Sequence, residues 1–207
     1  MKRSPSPFAT IAALGALIVS HPASSLAQQG QIEVKVAKIE VGLQKSPRFT
    51  VEGGTKEKRD TQKDWLEIEV EFQATMKGGK DEYVNELEFA YHVYFKSEAK
   101  VITIYTANVT HINIPVEEPI FSSVYVSPTV LGKIFGKDNA VNPNDVWVAV
   151  EVKSQGALKG GETNHKSNPP WWQSPNAARM EGMLLNKSQT PFAFLWWDRY
   201  PEVRTQR

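Results

Sequence analysis

The sequence predicts an all-β domain, an antiparallel β-sandwich with one short helix, and three observations carry that reading. From Leu66 to Ala74, Leu66, Ile68, Val70, Phe72 and Ala74 share one parity while Glu67, Glu69, Glu71 and Gln73 share the other. That is the two-residue period of a strand buried on one face. Roughly seven to nine short runs of this kind are divided by turn-rich joints, the spacing of a sandwich. One-sided alternation favours antiparallel sheets, since parallel strands are covered on both faces and read as continuous apolar runs. An open barrel is the alternative way to close the same strands.

The elements follow in order. Lys2 and Arg3 precede an apolar run from Phe8 to Val19, and Ser25-Leu26-Ala27 places small residues where a signal peptidase reads. This is the plan of a secretory signal peptide over residues 1–27, with a core too short to span a bilayer. A pilin-type leader, which keeps its apolar helix after processing, is not expected. Cleavage leaves residues 28–207 as a single β-sandwich domain of 180 residues with a formal charge of −1. No later segment has 18 uninterrupted apolar residues, so the mature form is expected to have no membrane span.

Ile32, Val34 and Val36 alternate, then Ile39, Val41 and Leu43 continue in the other parity, which predicts a β-bulge at Ala37-Lys38 or a strand changing sheets. Residues 52–64 read as a solvated loop. Gly78-Gly79-Lys80-Asp81 turns the chain, and Leu87, Phe89, Tyr91, Val93 and Phe95 repeat the pattern of the preceding strand, which predicts a long hairpin. Val101–Tyr105, Val109–Ile114 and Phe121–Val126 are further strands. Ser127-Pro128 opens a short helix with Val130, Leu131, Ile134 and Phe135 on one face and Gly136 at its end. Val146, Val148, Val150 and Val152 lie on one strand face, with Trp147 and Ala149 on the other, so that strand is expected to be covered on both sides. Residues 156–170 read as irregular and Arg179–Asn186 as a last strand.

The chain has 207 residues, no cysteine and a formal charge of +1. Absent cysteines exclude disulfides, thiolate catalysis and cysteine-ligated zinc. The near-neutral charge argues against nucleic-acid binding. Glu67, Glu69, Glu71, Glu86 and Glu88 suggest a carboxylate pair, but acids at every second position describe a solvated sheet face better than a catalytic site. His92, His111 and His165 share no metal-ligand spacing and no serine sits in a nucleophile elbow; His92 is expected to pair with Glu88. Asp138, Asn139, Asn142, Asn144 and Asp145 crowd one loop with oxygen donors, although turns favour the same residues. Asn108 and Asn186 begin glycosylation sequons that lie in strands. No cofactor and no metal is expected, and no enzymatic activity.

The tryptophan pairs are the remaining signal. Trp196-Trp197, in a run with Phe192, Phe194 and Leu195, is expected to belong to the core. Trp171, Trp172 and Trp147 are the candidate binding surface, since exposed indoles stack on sugars or anchor proteins.

The segments Gln31–Val36 through Val41–Pro47, Asp64–Phe72, and Thr190–Ala193 through Trp197-Asp198 together resemble the exported pilus-like proteins of verrucomicrobial bacteria, related to a gut-mucus member with an immunoglobulin-like fold. The resemblance implies an exported, non-enzymatic component associated with type IV pilus-like or cell-envelope assembly, in the periplasm or at the cell surface. Its partners would be pilus-like or envelope proteins, with a homo-oligomer open. The missing pilin leader favours an accessory role over a polymerising subunit. The alternative is a carbohydrate-binding module that uses the exposed tryptophans.

Overall fold

The computed structural model describes residues 31–48, 61–79, 81–97, 101–136 and 141–204. The expected signal peptide, most of the 52–64 loop and the segment 137–140 lie outside the described residues. Ten strands form two sheets, in chain order β1 (Gln31–Lys45), β2 (Asp64–Lys77), β3 (Tyr83–Phe95), β4 (Thr103–Pro115), β5 (Pro119–Val126), β6 (Val146–Ser154), β7 (Ala157–Thr163), β8 (Ala178–Glu181), β9 (Leu184–Asn186) and β10 (Glu202–Val203). The first sheet runs β1-β2-β5-β9 and the second β10-β4-β3-β6-β7, with β8 parallel to β4 at Thr103–Thr106. The other strand pairs are antiparallel, and the architecture is the expected immunoglobulin-like sandwich with one α-helix, α1 (Pro128–Phe135).

Alternation set the core. Leu66, Ile68, Val70, Phe72 and Ala74 are all fully buried, facing Leu87, Phe89 and Val93 of β3 and the Val146–Val152 row of β6 across the interlayer. The bulge in β1 lies where the parity slips: Val36 pairs with Phe72 and Lys38 with Glu71, leaving Ala37 as the extra residue. Helix α1 is capped as its sequence demands, with Ser127 Oγ accepting from Val130 N at 3.3 Å and Pro128 in the first turn. Leu131 is buried in the core and Phe135 meets Phe95 edge-on at 5.7 Å, so the helix closes one end of the sandwich. Ser127→Ala is expected to cost about 1 kcal/mol, read as a lower midpoint in urea with an unchanged slope.

Four expectations about the strands are corrected. β2 and β3 are not a hairpin: β2 pairs with β1 and β5, whereas β3 pairs with β4 and β6 in the other sheet. Alternation reports which face is buried but not which neighbour lies alongside. Val101–Tyr105 and Val109–Ile114 fuse into the single strand β4, and residues 179–186 split at Gly182 (φ 78°) into β8 and β9, which serve different sheets. Residues 157–163, expected to be irregular, form β7. That strand has no apolar alternation because both its faces are largely open, and its pairing with β6 holds it. Gly160 lets β7 pass against the backbone of β1, where a Cβ would overlap the Val34 carbonyl oxygen and stand 2.9 Å from its carbon. One side of the sandwich is thereby shut.

Candidate binding surfaces

A polar relay crosses the core. Pro201 O can only accept, so the Nδ1–H of His111 donates to it at 3.2 Å, and Nε2 must accept from the Ser122 hydroxyl at 2.8 Å. Ser122 Oγ in turn accepts from the Tyr91 hydroxyl at 2.7 Å. This joins β3, β4 and β5 to the residue that precedes β10. Burial pulls the His111 pKa down to about 4, against the opposing pull of its backbone contacts at Pro201 and Glu202, so the ring is neutral at pH 7. Although a serine touches a histidine here, Ser122 is wholly inaccessible and His111 is 1% exposed. The pair is a structural strut between the two sheets and the carboxy-terminal segment.

The three predicted indoles do gather, on the outer face of β3 and β6. Trp147 lies between Tyr94, at 5.0 Å, and the stacked ring of His165, at 3.6 Å and 6°. Trp171 meets Trp147 and Trp172 edge-on at 6.1 and 5.7 Å. All three are half-buried. Trp171 Nε1–H donates to His165 O at 3.1 Å, and Trp172 Nε1–H donates to Glu151 at 3.1 Å. The cluster pins residues 163–173 to the sheet and covers the second face of β6, where Ala149 is fully buried, as the sequence led us to expect. His92 also lies beneath this cover, 4.0 Å from Glu151 and not paired with Glu88. Burial holds its pKa below the usual value, Glu151 opposes that, and Arg179 and Lys153 add to it.

The carboxy-terminal segment is where the structure departs most from expectation. After β9 the chain straps across the outer face of the first sheet. Phe192, 1% exposed, stacks on Tyr125 at 5.0 Å and meets Trp65 edge-on at 5.8 Å. Lys187 is buried with its ammonium 4.5 Å over the Tyr200 ring and donating to Leu195 O. Burial lowers its pKa, while Glu67 and Asp198 pull it back up. Tyr125 donates to Glu67 at 2.5 Å; Tyr200 donates to Glu69, which also pairs with Arg199 at 3.2 Å. Two acids of the expected solvated stripe thus lie under the strap as its anchors. β10 then joins the edge of β4, and Arg204 N donates to Thr110 O at 2.8 Å.

Between these anchors the strap turns outward. Phe194, Trp196 and Trp197 are 83%, 49% and 75% exposed, which corrects the expectation that Trp196-Trp197 belong to the core. The segment is a series of tight turns, not a strand, and Phe192 alone fills the hollow between Tyr125 and Trp65. Trp196 has φ 49°, a left-handed backbone that is rare for a bulky residue and costs about 1–3 kcal/mol. Turn hydrogen bonds satisfy Ala193, Leu195, Arg199 and Tyr200 N–H groups locally. The sequence did carry a sign of this exposure, since two adjacent tryptophans beside Asp198-Arg199 cannot share one buried strand face.

Among the described residues no group of three or more acids and histidines could hold a metal ion, and no helix is long and apolar enough to cross a membrane. In the oxygen-rich loop, Asn142 Oδ1 accepts from Asn144 N at 3.1 Å and caps a single helical turn over Pro143–Asp145.

No curated protein matches the chain. A solved crystal structure of a protein from Akkermansia muciniphila superposes with a TM-score of 0.77 at 25% identity, covering 86% of this chain and 95% of that one. A family model matches residues 25–207, the whole of the sandwich described above. The chain therefore belongs to that family, and its fold is immunoglobulin-like.

Proposed function

We propose that this protein is an exported, accessory component of a type IV pilus-like or cell-envelope assembly, in the periplasm or at the cell surface, and that it works by contact with other proteins. The observation that supports this most directly is the aromatic turn of Phe194, Trp196 and Trp197, presented in solvent on a strap whose flanks are tied down at Phe192, Lys187 and Tyr200. Clustered exposed aromatics on a fixed backbone are the usual anchors of protein interfaces. The Akkermansia protein shares this fold over most of both chains. Residues 1–27 supply the export signal in this account.

Crosslinking in the native envelope followed by affinity purification tests it. Pilus-like or envelope assembly proteins are expected to co-purify, and their recovery to fall at least about tenfold with Phe194→Ala and Trp196→Ala together, given the usual cost of interface anchors. Recovery that is unaffected by those changes would refute the assigned surface.

Glycan binding is the second reading. The Trp171, Trp172 and Trp147 cluster supports it only through ring faces, because the first two indole N–H groups are spent inside the protein and His165 covers one face of Trp147.

A further inference from the structure

The side of the sandwich opposite the β1–β7 contact holds a cleft of about 510 Å³ between β5, β4 and the strap. That volume suits a small ligand. Ile120 and Ser123 come from β5, Asn113 from β4, and Trp197 and Tyr200 from the strap. Trp197 and the lining Tyr83 offer largely exposed rings.

Ser123 is only 3% exposed, and its Oγ has no hydrogen-bond partner. It stands near the Tyr125 hydroxyl, whose proton is given to Glu67, without forming a bond of normal geometry. Buried hydroxyls are nearly always paired; this one lies in the cleft wall with its oxygen shut off from solvent, so a ligand reaches it only by displacing the side chains over it. Asn113 gives its amide proton to Glu202 at 2.7 Å and keeps its carbonyl oxygen free of that bond.

Charge narrows the class. Glu118, Asp198 and Glu202 line the cleft, and Lys187, the one lysine or arginine among the described residues lining it, is already held by Leu195 O and the Tyr200 ring. An anionic ligand would meet net repulsion, whereas carboxylate and amide oxygens accept readily from sugar hydroxyls. Strand addition by a peptide needs an open backbone edge, yet Ser122 and Ser123 of β5 are 0% and 3% exposed. We infer that the cleft between β5, β4 and the strap binds an uncharged oligosaccharide, which stacks on Trp197 and hydrogen-bonds to Ser123 Oγ. This rests on the second reading above but moves the sugar away from the Trp171–Trp172 cluster. It is independent of protein contact at Phe194.

The purified protein is titrated by calorimetry with maltohexaose, cellohexaose, mannohexaose and chitohexaose, and with hexagalacturonate as the acidic counterpart. At least one neutral hexasaccharide is expected to bind, at least about tenfold more tightly than hexagalacturonate. Trp197→Ala should weaken it at least tenfold, a loss typical of a stacking aromatic. Ser123→Ala, which breaks no bond in the fold, should weaken it about threefold to tenfold while leaving thermal unfolding unchanged. Phe194→Ala and Trp172→Ala should leave it unchanged. Failure of all four neutral sugars to bind overturns the proposal, as does equal binding of hexagalacturonate. Loss on Trp172→Ala in place of Trp197→Ala would keep glycan binding but place it on the indole cluster, overturning the cleft.

Discussion

Gly160→Ala is expected to destabilise the protein by about 3 kcal/mol, the upper end of the usual cost of overpacking. The new Cβ would overlap the Val34 carbonyl oxygen of β1, and a backbone atom cannot swing aside as a side-chain tip can. β7 must therefore move away from β1, which loosens the packing of Ile32 and Val34 at the shut side of the sandwich. Gly42→Ala is the matched comparison, since a Cβ there meets nothing within 4 Å. It is expected to change stability by less than about 0.5 kcal/mol. Urea unfolding of the two variants separates them; equal small effects would mean that the β1–β7 approach is looser than described.

Mild acid should weaken the fold through His111. Its folded pKa is about 4 and its ordinary value 6.5, so below pH 6.5 the unfolded chain takes up a proton that the folded chain refuses. Stability present above pH 6.5 is therefore lost as pH falls towards 4, by about 3 kcal/mol in all, since each tenfold difference in proton affinity is worth about 1.4 kcal/mol. Tyr91, next in the relay but one, stays protonated throughout because burial pushes its pKa up. His92 acts in the same direction, since burial depresses it too. The contribution of His111 is isolated with His111→Gln, whose amide can donate towards Pro201 O and accept from Ser122 without titrating. Between pH 7.5 and 4.5 the unfolding free energy should fall about 2.5 kcal/mol further in the native protein than in this variant. Parallel losses would show that His111 is not the acid-sensitive strut.

The faces of the strands were legible in the sequence, and their neighbours were not. Leu66 to Ala74 announces a one-sided strand because burial follows parity, and the bulge at Ala37 shows as a parity slip for the same reason. Parity is silent on whether β2 folds back on β3 or crosses to the other sheet. β7 left no signal because backbone pairing and the smallness of Gly160 hold it, not apolar alternation. The binding surfaces were legible by residue type and misplaced by burial. Trp171, Trp172 and Trp147 do cluster, but they spend much of their chemistry pinning a loop. Trp196 and Trp197 read as core because they sit in an apolar run, yet it is Phe192 that fills the hollow between Tyr125 and Trp65, and the left-handed turn at Trp196 sends Trp197 into solvent. Glu67 and Glu69 could not be recognised as anchors of the strap, since their partners Tyr125, Arg199 and Tyr200 lie far along the chain.

The strap is proposed to present Phe194 as a contact surface in the assembled envelope. Site-specific photocrosslinking measures this directly, with a benzophenone amino acid at position 194 and at Leu158, an exposed residue of β7. Irradiation of living cells is expected to give discrete adducts with other envelope proteins from position 194 and none from position 158. Adducts from both positions alike, or from neither, would mean that Phe194 is not a contact surface.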